Sequence, residues 1–168
     1  MWQRNYPLPQ QKIYGEKMFN EIIEKGLYDF CEEVGSWQEA IEKSCEKLIE
    51  KDIVDENYPK QIIETVNKYG PYIVLVPGVA MPHCQECAQG VKDTAISFMK
   101  FNKPVVFDED DRDKDARLFF TVASTNPEKH MENICELSEI LCNEEVIEDL
   151  NKVDNLDDLI KVKEKFNI

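Results

Sequence analysis

The chain has little that would mark it as a membrane, nucleic-acid or nucleotide-binding protein. Its 168 residues contain no run of about 18 apolar residues, so a spanning helix and direct membrane insertion are not expected. Residues 1–10 have no apolar signal core; only Pro7 and Pro9 punctuate a polar stretch, and a cytoplasmic location is expected. Basic residues number 20 against 34 acidic ones, for a net charge of −14. That balance argues against nucleic acid as a partner, because phosphate backbones need a basic face. None of the six glycines forms a phosphate-cradling loop, and no nucleophile elbow is present, so ATP binding and Ser-His-Asp hydrolysis lack support. The acidic stretches 108–115 and 154–158 lack the glycine and final glutamate of a calcium loop, and read as solvated segments.

What is present suits one domain with its own core: 42% apolar and 32% charged residues. Residues 1–15 read as an extension and 16–168 as the domain. Helical periodicity covers 16–25, and 27–34 is a strand candidate. Ser36 and Glu39 form a capping box opening a helix with Trp37, Ile41, Cys45 and Leu48 on one face. A second helix presents Tyr58, Ile62, Val66 and Tyr69, ending at Gly70-Pro71. Residues 72–76 form a continuous apolar run, read as a strand buried on both faces. A loop over 79–90 follows, then strands over 94–101, 105–107 and 117–123. Asn126 and Pro127 start a helix placing Met131, Ile134, Leu137 and Leu141 together, and helices over 144–151 and 156–166 close the chain. Helices before and after a group of buried strands predict a layered α/β domain.

There are only two histidines, both at element ends. His83 follows Met81-Pro82 in the loop beyond the apolar run, where open α/β sheets gather their sites. Pro82 stiffens that support. A neutral imidazole nitrogen is nucleophilic near pH 7, and a partner on the other nitrogen fixes the tautomer. His130 falls in the first turns of the helix capped by Asn126, where N–H groups favour an anion and an imidazole N–H could donate to a phosphoryl oxygen. Either histidine read alone also fits an ordinary surface position.

Cys84 and Cys87 form a Cys-x-x-Cys directly after His83, open to a zinc or redox reading. No second cysteine pair completes a four-ligand zinc site, so neither metal nor cofactor is favoured. The six cysteines are expected as reduced thiols, mostly buried, with Cys135 and Cys142 packing on one helix face.

Gly70-Pro71-Tyr72-Ile73-Val74, followed by Pro77-Gly78-Val79-Ala80-Met81-Pro82-His83, resembles the IIA domains of the mannitol/fructose-type phosphotransferase system, the ascorbate-like branch fitting best. The similarity continues through Gly90-Val91, the Pro104–Phe107 segment and the apolar strand to Ala123, with a second histidine at His130, and covers about residues 18–166. The resemblance implies a mixed β-sheet flanked by helices on both faces. It implies that His83 carries the phosphoryl group and His130 lies beside it. It also implies that the phosphocarrier HPr donates the group, a IIB cysteine receives it, and a IIC permease phosphorylates a sugar or ascorbate-like substrate during uptake. A regulatory module using the same histidine is the alternative, and oligomeric state is open, a homo-oligomer included. Two departures stand out. Cys84 and Gln85 follow the histidine where the family has Ala or Gly and often Arg. Glu64, Thr65 and Val66 stand where mannitol/fructose members carry an Arg.

Overall fold

The computed structural model describes the backbone of residues 9–84 and 89–168, with side chains from Gly15 onward. The elements run α1 (Pro9–Glu24), β1 (Tyr28–Cys31), α2 (Trp37–Glu50), α3 (Tyr58–Tyr69), β2 (Gly78–Ala80), β3 (Ala95–Val105), β4 (Ala116–Ala123), α4 (Pro127–Leu141), α5 (Glu144–Leu150) and α6 (Leu156–Phe166). The strands form one mixed sheet in the order β1-β3-β4-β2. The central β3–β4 pair is antiparallel, while β1 and β2 add in parallel to β3 and β4.

The sheet is apolar on both faces because both are covered. Met99, Phe101 and Phe119 pack with Ile41 and Leu48 of α2 and Ile62 and Val66 of α3. On the other face Phe98, Leu118 and Phe120 pack with Phe19, Leu137, Val146 and Leu159, from α1, α4, α5 and α6. Strand alternation sends successive residues of β3 and β4 to opposite layers, and each buried phenylalanine contributes about 1.5–3 kcal/mol. Hydroxyls on the sheet are paired with α2: Thr121 donates to the Ser44 hydroxyl at 2.9 Å and Ser97 to the Ser44 carbonyl at 3.0 Å. Buried Lys100 donates to the Val153 carbonyl at 2.6 Å and to Asp154 at 2.9 Å. No helix among the described residues is long and apolar enough to cross a membrane.

Local signals set most boundaries. Ser36 caps α2 by accepting the Glu39 N–H at 3.2 Å, and Glu39 reaches back to the Gly35 N–H at 2.8 Å, one residue earlier than a capping box prescribes. Three expectations are corrected. The apolar run 72–76 is not a strand: it is a turn between Pro71 and Pro77, with only Val76 bridged, to Val79. Its Ile73 and Val74 are apolar because they enter the core, and the strand β2 follows instead, opening at Gly78, which turns the chain at φ +83°. In place of the expected strands 94–101 and 105–107 there is one strand, β3, which ends at Val105 and whose pairing with β4 is irregular between Lys100 and Val105. Finally α1 begins at Pro9, ahead of the helical periodicity expected over 16–25.

Candidate functional site

β2 and β4 are parallel neighbours, so the segments leaving them emerge at the same end of the sheet. One leads into Met81-Pro82-His83, the other into Ser124–His130. The Val122 N–H donates to the Pro82 carbonyl at 2.9 Å, and the Met81 N–H donates to the Ile73 carbonyl at 2.8 Å. Tyr58, fully buried on α3, donates its hydroxyl to the Val122 carbonyl at 2.6 Å. The backbone beneath His83 is therefore fixed from both sides.

This brings the two predicted histidines together, with ring centroids 5.2 Å apart and planes tilted by 48°. His83 is only 7% exposed. Its Nδ1 lies 2.5 Å from the Met81 carbonyl. A carbonyl only accepts, so Nδ1 carries the hydrogen and Nε2 keeps its lone pair. Burial lowers the His83 pKa from its ordinary value; the Met81 hydrogen bond opposes this shift and the nearby His130 adds to it. Burial lowers the His130 pKa as well. At neutral pH both rings are thus held neutral, giving a nucleophilic nitrogen next to a second imidazole that can donate or accept.

His130 owes its place to the cap. Asn126 is extended, its side chain accepts the Lys129 N–H at 2.8 Å, Pro127 occupies the first helical position, and the His130 N–H reaches the Asn126 carbonyl at 3.1 Å. The dipole end of α4 therefore lies beside the imidazole pair, where negative charge is favoured. Met131, expected on the buried side of α4, is instead 58% exposed next to His130; the helix buries Asn133, Leu137 and Leu141.

Two tyrosines were not legible as site residues. Tyr72 donates its hydroxyl to the His83 carbonyl, and its ring stands nearly perpendicular (86°) to the imidazole at a centroid distance of 5.2 Å. Tyr58 supports the strand end from below. Their signal was a hydroxyl at an otherwise apolar position, since a buried phenol needs a partner.

Of the thiols, Cys84 is buried and burial pushes it up to about 11, which keeps it protonated. Cys87 and Gln85 lie outside the described residues. Cys135 and Cys142 are exposed rather than packed, because the inner face of α4 is taken by Leu137 and Leu141. Among the described residues no group of three His, Cys, Asp or Glu is placed to hold a metal ion. Arg112 is committed to Asp115 and Arg117 to the Phe101 carbonyl.

Comparison with known proteins gives this geometry a family. The mannitol-specific cryptic phosphotransferase enzyme IIA component of Escherichia coli K12 is 37% identical over 115 residues, 68% of this chain and 76% of that protein. The ascorbate-specific PTS system EIIA component of the same strain is 33% identical over 116 residues, 69% and 74% of the two chains. The solution structure of the E. coli mannitol-specific cryptic enzyme IIA superposes with a TM-score of 0.74 at 31% identity, covering 86% of this chain and 97% of that one. A complex of E. coli mannitol enzyme IIA with phosphorylated enzyme IIB superposes with a TM-score of 0.70 at 25% identity, covering 81% and 92%. Residues 21–165 match the family described as phosphoenolpyruvate-dependent sugar phosphotransferase system, EIIA 2, and the chain belongs to that family.

Proposed function

We propose that this chain is a cytoplasmic phosphohistidine carrier that accepts a phosphoryl group on Nε2 of His83. The donor is the phosphocarrier HPr, and the acceptor is a cysteine of a IIB component that feeds uptake of a sugar or sugar-like substrate, such as the mannitol or ascorbate of the named relatives. The observation that carries the proposal is the imidazole pair, with Nδ1 of His83 tied to the Met81 carbonyl. In the transfer, the Nε2 lone pair attacks phosphorus while the bond from phosphorus to its donor breaks; no proton has to leave Nε2 first. His130 donates to a phosphoryl oxygen, and the N-terminal end of α4 adds a favourable field. With no arginine at the two family positions, these groups carry more of the phosphoryl charge in this chain.

Incubation with HPr, the enzyme that phosphorylates it and phosphoenolpyruvate is expected to add one acid-labile phosphoryl group. His83→Gln removes it, and His130→Gln slows transfer about 10²-fold, as loss of one donor to a developing charge does. A labelled His83→Gln protein would sink the assignment.

A further inference from the structure

Tyr72 touches the acceptor histidine, yet the phosphoryl transfer described above gives it no role. Three contacts place it. Its hydroxyl donates to the His83 carbonyl. Its ring stands almost perpendicular to the imidazole. The backbone of the next residue, Ile73, accepts the Met81 N–H at 2.8 Å. One short turn, opened by Gly70 at φ +82° and closed on itself by the Tyr72 N–H on the Gly70 carbonyl at 2.8 Å, therefore holds the chain on both sides of Pro82.

Among the described residues the imidazole itself has one strong anchor, Nδ1 on the Met81 carbonyl. A half-turn of the ring about Cβ–Cγ would put a carbon where Nδ1 stands and break that bond. Imidazole torsions of this kind are broad, so the ring's neighbours decide which orientation persists. Among the described residues, Tyr72 and His130 are the two aromatic rings packed against it. We propose that Tyr72 is a positioning residue that locks the His83 ring and backbone, keeping His83 in the Nδ1–H tautomer with Nε2 as the nucleophile. Burial holds the phenol well above its usual range and Cys84 adds to this, while a hydrogen bond with the Thr65 side chain acts the other way. The hydroxyl thus remains a donor at every working pH. A phenylalanine would fill the same space but leave the His83 carbonyl without this donor, which separates a positioning role from packing.

The functional consequence rests on His83 being the acceptor; the tautomer does not. The test uses Tyr72→Phe and Tyr72→Leu in the full chain, labelled with ¹⁵N in imidazole. Long-range ¹H–¹⁵N spectra at pH 7.5 read the His83 tautomer. Single-turnover transfer from phosphorylated HPr gives the maximal rate and the half-saturating HPr concentration separately. Expected is a dominant Nδ1–H form in the unsubstituted protein and a measurable Nε2–H fraction in Tyr72→Leu. The maximal rate falls about three- to tenfold in Tyr72→Phe, the weight of one hydrogen bond, and further in Tyr72→Leu, with half-saturation unchanged. Folded variants that keep both the tautomer and the rate would overturn the proposal, and Tyr72→Phe decides it if Tyr72→Leu fails to fold. A shifted tautomer in a protein that takes no phosphoryl group at His83 would uphold the positioning role and refute the carrier function instead.

Discussion

Tyr58→Phe removes one buried hydroxyl from under the site. The side chain is 1% exposed and its hydroxyl donates to the Val122 carbonyl at 2.6 Å. Phenylalanine keeps the ring packed against α2 and the sheet, so no cavity forms and the transfer term is nearly unchanged. What is lost is the hydroxyl, which also hydrogen-bonds the Cys84 backbone, and Val122 is fully buried, so no water replaces the donor. A net hydrogen bond is worth about 1 kcal/mol and an uncompensated buried acceptor adds to that, giving a loss of about 1–2 kcal/mol. For a chain of this size each kcal/mol moves Tm by about 2–4 °C, so a fall of about 2–8 °C is expected. Circular dichroism melting reads Tm, and urea titration should show a lower midpoint with an unchanged slope, since the surface exposed on unfolding is the same. Tyr58→Ala removes the ring too and should cost about 3–5 kcal/mol in lost burial and cavity together. A Tyr58→Phe protein as stable as the parent would refute the reasoning, because the hydroxyl would then hold nothing.

The histidine pair predicts a pH dependence of stability. Burial lowers both pKa values in the folded state, so between the folded and unfolded values the unfolded chain binds more protons. The stability is whole above the ordinary imidazole range, about pH 6.5, and is lost as pH falls towards the lowered folded values. Urea unfolding at pH 7.5 and 5.5 should show a larger loss in the parent than in a His83→Gln, His130→Gln double variant, and equal losses would contradict the burial argument. Gly90 is the second case. It sits at φ +79°, and a Cβ there would lie 2.3–2.4 Å from the Asp55 carboxylate, whereas at Gly26 (φ +66°) a Cβ meets nothing within 4 Å. Both alanine variants carry roughly 1–2 kcal/mol of backbone strain, but Gly90→Ala must also displace Asp55, which accepts the Asn57 N–H at 2.9 Å. Chemical denaturation should rank Gly90→Ala clearly below Gly26→Ala; the reverse order would show that Asp55 moves freely.

Elements whose signals are local were legible. Ser36, Asn126-Pro127 and the apolar stripes of α2 and α3 each specify their helix within a few residues, and the structure places them accordingly except for Tyr69 at the end of α3, which is 50% exposed. Misreadings arose where burial and hydrogen bonding part company. Ile73 and Val74 look like a strand because they are buried, but Pro71, Gly70 and Pro77 force a turn, and burial without a ladder leaves the same apolar run in the sequence. Met131 fell on the predicted apolar stripe of α4, yet the stripe that packs is centred on Asn133, Leu137 and Leu141. A methionine and an asparagine exchanged the places their polarity assigns, which periodicity cannot detect.

The site is a harder case, because its two histidines are 47 positions apart and neither has a local partner that names the other. Their meeting is a consequence of strand order. Had the three-residue β2 paired with β3, His83 would leave the sheet at another point; β2 instead lies parallel to β4, with Val79 opposite Leu118 and Ala80 opposite Phe119. Parallel strands end on the same side, so the segments after Ala80 and Ala123 must run over the same edge of the sheet. The Pro82–Val122 hydrogen bond then fixes their relative height, and the Asn126 cap turns the second segment into a helix whose first turns face the first segment. The pairing of the imidazoles thus rests on a short strand, one backbone hydrogen bond and a cap. A resemblance to a family can reveal such an arrangement from sequence, but residue periodicity cannot, since a three-residue strand has too few positions to show a period.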